Sequence, residues 1–124
     1  MTLAIGTDLV EVTRVRRLLA EGHRFRRWFT GRETDYCEAK REPALHYAGR
    51  LAAKEAVVKA LRVRWEAVPY AEIEIIQAGG EPPEVQLHGS VATIASGKGV
   101  SSISVSLSHG EQYATATALI ASEQ

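Results

Sequence analysis

The chain has 124 residues, 45% of them hydrophobic, with one cysteine and a formal net charge of zero. That length suits one globular domain over residues 1–124 with a modest core, and the lone Cys37 excludes a disulfide framework or a cysteine-rich metal site. The zero hides an asymmetry: residues 1–64 hold 14 Lys and Arg against 8 Asp and Glu, while residues 65–124 hold Lys98 against 7 glutamates, so the halves carry +6 and −6.

No apolar stretch approaches the roughly 20 residues that a spanning helix needs, and the first residues lack a basic region followed by a long apolar run. A soluble protein of the reducing cytoplasm, with no membrane partner, is expected.

In chain order, "LAIG" predicts a short first strand, followed by a helix from about Leu9 to Ala20. Asp8 stands between them. It reads either as an N-cap with Glu11 as the reciprocal capping partner, or as a carboxylate displayed at a strand end. "RVRRLLAEGHRFRRWFTGR" then packs seven arginines beside a single acid, Glu21, and includes a short helix around Phe25. Such a patch steers a polyanion or an acidic protein toward itself. The alternative is a solvated helix face, or pairing with the glutamates of the other half.

Thr30 with Glu33 three residues on is a capping-box pattern that opens a third helix through about Lys40. Pro43 suits the first turn of a long helix running to about Arg62. Within it, "AGRLAAKEAVVKAL" carries Arg50, Lys54, Glu55 and Lys59 among small apolar residues. Arg50 and Lys54 fall about 40° apart, as do Glu55 and Lys59, and the two pairs lie roughly 140° from each other. The helix is therefore expected to be packed on more than one side, with charged stripes at the seams. Glu55 before Lys59 is an ordinary surface pair, whereas Arg50 above Lys54 is a like-charged pair that is costly unless an anion sits against it.

The texture then changes. Residues 71–77, 84–88, 102–109 and 112–121 read as strands, with "GGEPP" and "HGE" as turns and residues 90–99 as a further helix ending at Gly97 or Gly99. Helices first and sheet second predict an α+β fold, an antiparallel sheet covered by the long helix. His109 shares the apolar register of Ile103, Val105 and Leu107, as a ligand at the strand's mouth or as an edge-of-core histidine. Asp8 and a helix carboxylate can converge on magnesium, for which two protein carboxylates suffice.

These segments in this order, "IGTDLVEVTRV", "RETDYCEA", "AGRLAAKEAVVKAL", "IEI" with "GGEP", and "VSLSHGEQYATATAL", resemble the holo-(acyl-carrier-protein) synthase family, the small phosphopantetheinyl transferases. The resemblance covers essentially the whole chain. It implies an α+β fold, a homotrimer with each active site between neighbouring subunits, and transfer of 4′-phosphopantetheine from coenzyme A to a serine of an apo acyl carrier protein, releasing adenosine 3′,5′-bisphosphate. It further implies that Asp8 and Glu55 hold Mg2+, that Lys59 stabilises charge on the phosphates, and that Arg50, Lys54 and His109 face coenzyme A. Arg14, Arg17 and Arg24 would dock an acidic carrier protein of fatty-acid or polyketide synthesis. The family's Gly-Lys-Pro turn is here Gly80-Glu81-Pro82, and its glycine-rich segment after the long helix is here Arg62-Val63-Arg64-Trp65. The competing function is a non-catalytic basic module that binds nucleic acid or an acidic protein, without need of two acids near its lysines.

Overall fold

A computed structural model describes residues 1–123. Its first strand, β1, is Thr2–Glu11, much longer than "LAIG", and helix α1 begins only at Val12 and runs to Ala20. The alternation explains the difference. Leu3, Ile5, Thr7 and Leu9 face outward while Ala4, Gly6, Asp8 and Val10 face inward, and β1 pairs antiparallel with β5 (Tyr113–Ser122) from Thr2↔Ser122 to Glu11↔Tyr113. Ten residues of ladder outweigh one capping box. The N-cap position belongs to Glu11, which makes no side-chain capping bond, and Asp8 sits within the strand opposite Ala116.

The capping box of Thr30 and Glu33 forms as expected and opens α2, Gly31–Glu38. Pro43 occupies the first turn of α3, Pro43–Leu61. Fourteen of the 19 residues of α3 are buried, which requires covering layers on several sides. One layer is a three-stranded sheet in the order β1-β5-β4, where β4 is Val100–His109 and pairs antiparallel with β5. Ala114, Ala116, Ala118 and Ile120 of β5 point at the helix and are buried, while their neighbours along the strand are exposed or half-buried. On its other sides α3 meets α1, α2 and β2, Ile73–Ile76, the first strand of a hairpin with β3, Glu84–Leu87. Helix α4, Gly89–Gly97, packs beside β4 and the short 3₁₀ turn Tyr70–Glu72. The expected α+β plan holds.

Helix and sheet approach closely at Gly6. A Cβ there would collide with the carbonyl oxygen of Ala56 and stand 2.7 Å from the amide nitrogen of Ala60, both backbone atoms of α3 that cannot swing aside. Gly6→Ala is therefore expected to destabilise the fold by roughly 1–3 kcal/mol or more. A thermal midpoint several degrees lower checks this; an unchanged midpoint would show that helix and strand can separate freely.

Candidate active site

Glu55 and Lys59 share a stripe of α3 that faces β1, and Asp8 meets them from the strand. Lys59 Nζ donates to Asp8 Oδ1 at 3.0 Å and to the Thr7 carbonyl at 2.9 Å. The Asp8 side chain is only 12% exposed. Burial pushes the Glu55 carboxyl up to about 7, helped by the charge of Asp8 and a hydrogen bond between the two acids, while Arg14 and Lys59 pull it down. Two carboxylates sharing one partly dry site repel, so each favours a bound cation or a shared proton. A hard divalent cation fits them. Among the described residues no cluster of three His, Cys, Asp or Glu is placed to hold a metal, so further ligands would have to be water or substrate oxygens, as magnesium tolerates. Beside the pair lies a cavity of about 730 Å³ whose walls include Glu55, Lys59, Arg14, Trp28 and Trp65.

The opposite flank of α3 is built differently. Arg50 is buried, with its guanidinium 3.9 Å over the Tyr36 ring, and its Nε and Nη2 have no hydrogen-bond partner among the described residues. Burying a guanidinium without an acceptor is costly, and the natural remedy is an anion. A cavity of about 380 Å³ opens there, lined by Arg50, His46, His109, Tyr36, Gln77 and Ser108. The His46 and His109 rings stand 4.9 Å apart, and His109 lies over Gly49, where a Cβ would come within 3.7 Å of its ring. Burial holds the His46 pKa below its usual value, and the charges of His109, Lys40 and Arg50 lower it further. Every one of these neighbours repels a proton and attracts an anion.

Lys54, expected beside Arg50 and His109, does not line that cavity. Its Nζ is fully buried and donates to Glu33 Oε1 at 2.8 Å, to the Ile73 carbonyl at 2.6 Å and to the Tyr70 carbonyl at 2.9 Å. With three acceptors, it has no donor left for a phosphate. The anion that relieves the like-charged pair is thus Glu33 for Lys54, whereas Arg50 Nε and Nη2 have no acceptor among the described residues. Among the docking candidates, Arg14 borders the larger cavity, and Arg17 and Arg24 are exposed on the adjoining surface. Sequence reasoning missed His46 and Tyr36. His46 lies four residues before Arg50, on the same helical stripe, so the spacing contained the signal.

The family model of the 4′-phosphopantetheinyl transferase superfamily matches residues 4–118. The chain is 40% identical to the holo-[acyl-carrier-protein] synthase of Moorella thermoacetica, over 97% of this chain and 94% of that protein, and 39% identical to that of Geobacter sulfurreducens, over 97% and 98%. Its fold is similar to that of the Chronobacterium ammoniagenes ACPS–CoA complex, with TM-score 0.89 and 29% identity over the whole of both chains. It is also similar to the Helicobacter pylori holo-[acyl-carrier-protein] synthase in complex with coenzyme A, with TM-score 0.81 and 26% identity over 94% of this chain and 99% of that one.

Removing one member of a buried ion pair strands the other. Lys54→Ala is expected to cost about 3–5 kcal/mol of stability, whereas Lys59→Ala, at an exposed amine, should leave the melting curve nearly unchanged. Comparing the two thermal midpoints tests the structural assignment of Lys54. A second expectation concerns Glu55. The folded protein holds its proton to about 7 whereas an ordinary glutamate releases it near 4.5, so the folded state binds the extra proton between those values and stability falls as pH rises through that window. In chelator, Glu55→Gln should remove that component of the decline, and an identical pH slope in wild type and variant would contradict it.

Proposed function

The chain belongs to the 4′-phosphopantetheinyl transferase superfamily, and on that premise we propose that its two charged flanks are halves of one active site, completed between neighbouring subunits of a homotrimer. The enzyme is of the holo-[acyl-carrier-protein] synthase kind, moving 4′-phosphopantetheine from coenzyme A to an apo acyl carrier protein. The observation that carries the shared site is topological. Asp8 lies on β1 and His109 on β4, the two opposite edges of the sheet, with α3 laid between Arg50 on one side and Glu55 with Lys59 on the other. Two strand spacings, roughly 10 Å, and a helix separate the halves within a chain. A head-to-tail ring would instead set the β1 edge of one subunit beside the β4 edge of the next.

The outer face of the sheet supports such an assembly. Leu3, Ile5 and Leu9 are 59%, 69% and 64% exposed, and Leu119 and Tyr113 of β5 extend the same surface. Large apolar side chains at alternate positions on an uncovered face are what a subunit interface buries.

The roles then follow from the geometry. Asp8 and Glu55 would hold Mg2+, which when bound neutralises and orients the coenzyme A pyrophosphate. Lys59, already at the Asp8 carboxylate, can follow charge as it grows on the phosphate oxygens. Arg50, His46 and His109 of the neighbouring subunit supply the donors for the nucleotide phosphates, so that adenosine 3′,5′-bisphosphate is held as it leaves. Arg14, Arg17 and Arg24 receive the carrier protein. Transfer needs positioning and charge neutralisation, and no protein nucleophile. This chemistry occupies one domain of residues 1–124 in the cytoplasm, where Cys37 stays reduced. The carrier belongs to fatty-acid or polyketide synthesis. The basic-module alternative is set aside by membership in an enzyme family, and no nucleic-acid partner is invoked.

A mixing experiment tests the shared site. Asp8→Ala and Arg50→Ala should each be nearly inactive when mass spectrometry follows phosphopantetheine addition to an apo carrier with coenzyme A and magnesium. Unfolded and refolded together in equal amounts, they should recover about a quarter of wild-type activity, because heterologous contacts then pair an intact carboxylate half with an intact arginine half. No recovery from well-folded mixed oligomers would place both halves of the site within one chain.

A further inference from the structure

Helix α3 ends with Arg62 in the left-handed region, φ 60°, ψ 42°, a C-cap conformation that glycine adopts without strain and other residues seldom do. The loop that follows makes no hydrophobic core of its own. Val63 is half-buried, Arg64 is exposed, and Trp65 is 65% exposed at the start of a 3₁₀ turn that reaches Val68. A tryptophan left so open in a loop held by a strained cap calls for a partner.

The loop forms one wall of the 730 Å³ cavity, with Trp28 and Tyr70 opposite, their rings 5.6 Å apart. Cations border it: Arg14, Arg27, Arg64 and Lys59 against two carboxylates, Glu55 and Glu66. Arg27 and Arg64 make no ion pair among the described residues, whereas Arg26 next door is spent on Glu38 at 2.9 Å. An apolar cradle with a cationic border complements an acidic surface that presents an apolar side chain. It shares no lining residue with the Arg50 cavity, and it opens directly onto Lys59 and Glu55, where an incoming serine has to arrive.

We propose that the Arg62–Val68 loop, through Arg64 and Trp65, docks the apo acyl carrier protein and selects among carriers. The inference rests on the transferase reading above. It assigns the loop to the protein substrate and not to coenzyme A. The carrier sets an apolar side chain against Trp65 and Trp28 while its acids meet Arg64, Arg27 and Arg14. Because these contacts lie outside the phosphate-binding groups, they act on encounter and docking of one substrate only.

The test is a separation of Michaelis constants. Trp65→Ala and Arg64→Glu should each raise KM for the apo carrier several-fold with little change in KM for coenzyme A, and Trp65→Phe should restore most of the loss. Thermal midpoints should match wild type, since neither side chain is buried. In a Trp28→Phe background, Trp65 is the sole tryptophan, and its emission should shift on titration with apo carrier but not with coenzyme A. A parallel rise in both constants, or an emission change with coenzyme A alone, would move the loop to the nucleotide and overturn the proposal. Unchanged constants in both variants, with wild type transferring normally, would overturn it as well. Absence of transfer by wild type would instead bring down the transferase reading itself, and the loop assignment with it.

Discussion

The buried pair of Lys54 and Glu33 is the joint around which the molecule is arranged. Glu33 Oε1 accepts from both Lys54 Nζ and the Thr30 amide, at 2.8 and 2.9 Å, and Oε2 accepts from the Ile75 amide at 3.0 Å. Lys54 in turn reaches the carbonyls of Tyr70 and Ile73 and stands 5.0 Å from the Phe29 ring centre. Four segments, α2, α3, the Tyr70 turn and β2, are thus fixed to one another through two side chains. Taking both charges out of water is expensive, and the pair is tolerable only because every strong donor and acceptor direction is filled. Burial lowers the lysine's pKa while the neighbouring carboxylate opposes it. The consequence for the site is positional, since Tyr70, a wall of the larger cavity, belongs to a turn that this joint holds, and the Trp28 ring packs 5.6 Å from it.

The charge asymmetry acquires a physical meaning once the acids are located. Glu72 is consumed at the start of α4, accepting from Ser90 Oγ at 2.7 Å and the Val91 amide at 3.0 Å. Glu74 takes the Thr30 hydroxyl at 2.6 Å and the His88 ring at 2.9 Å. Among the described residues a single arginine of the first half, Arg32, meets an acid of the second, Glu74, and only at 4.0 Å with its side chain mostly exposed. Among the described residues the other ion pairs made by arginines and lysines of the first half lie within that half. Internal neutralisation is therefore not what the arginine surface is for. It keeps a long-range positive field in front of the Asp8–Glu55–Lys59 cavity, the direction from which a negatively charged macromolecule would be drawn.

The sequence made some of this legible because the signals are local. The capping box, the proline at the start of α3, the alternation in β4 and β5 and the stripes of α3 all lie within a few residues of one another, and each appears in the structure. What was misread depends on distant pairing. The resemblance set Lys54 toward coenzyme A, and its internal partners escaped notice because the carboxylate is 21 residues away and the two carbonyls are 16 and 19 residues on. Asp8 admitted two readings, a cap or a strand-end carboxylate, because the chain past Gly6 could satisfy either a helix start or a strand, and the ladder with β5, more than 100 residues later, favours the carboxylate on the strand. The Gly80-Glu81-Pro82 departure also reads differently in three dimensions. Glu81 is exposed at the tip of the β2–β3 hairpin, where its carbonyl accepts from Gln77 Nε2 at 3.4 Å, and Gln77 lines the Arg50 cavity. Glu81 is itself not among the residues that line that cavity.

Both charged flanks of α3 are electrostatically unfinished, and in opposite senses. On one flank the Glu55 carboxyl is driven toward its protonated form by burial and by Asp8, a condition that a cation relieves. On the other the His46 imidazole is driven toward its neutral form, and two nitrogens of Arg50 are buried with no acceptor, conditions that an anion relieves. A ligand carrying a pyrophosphate with its cation and a further phosphate would offer the cation to the first flank and the anion to the second at one stroke. Since the two flanks lie toward opposite edges of the sheet, one chain would not easily bring both to one ligand, whereas two chains placed edge to edge would. In the proposed assembly the apolar outer face of β1 and the charged seams of α3 would answer a single requirement, because the contact that buried the first would also close the second.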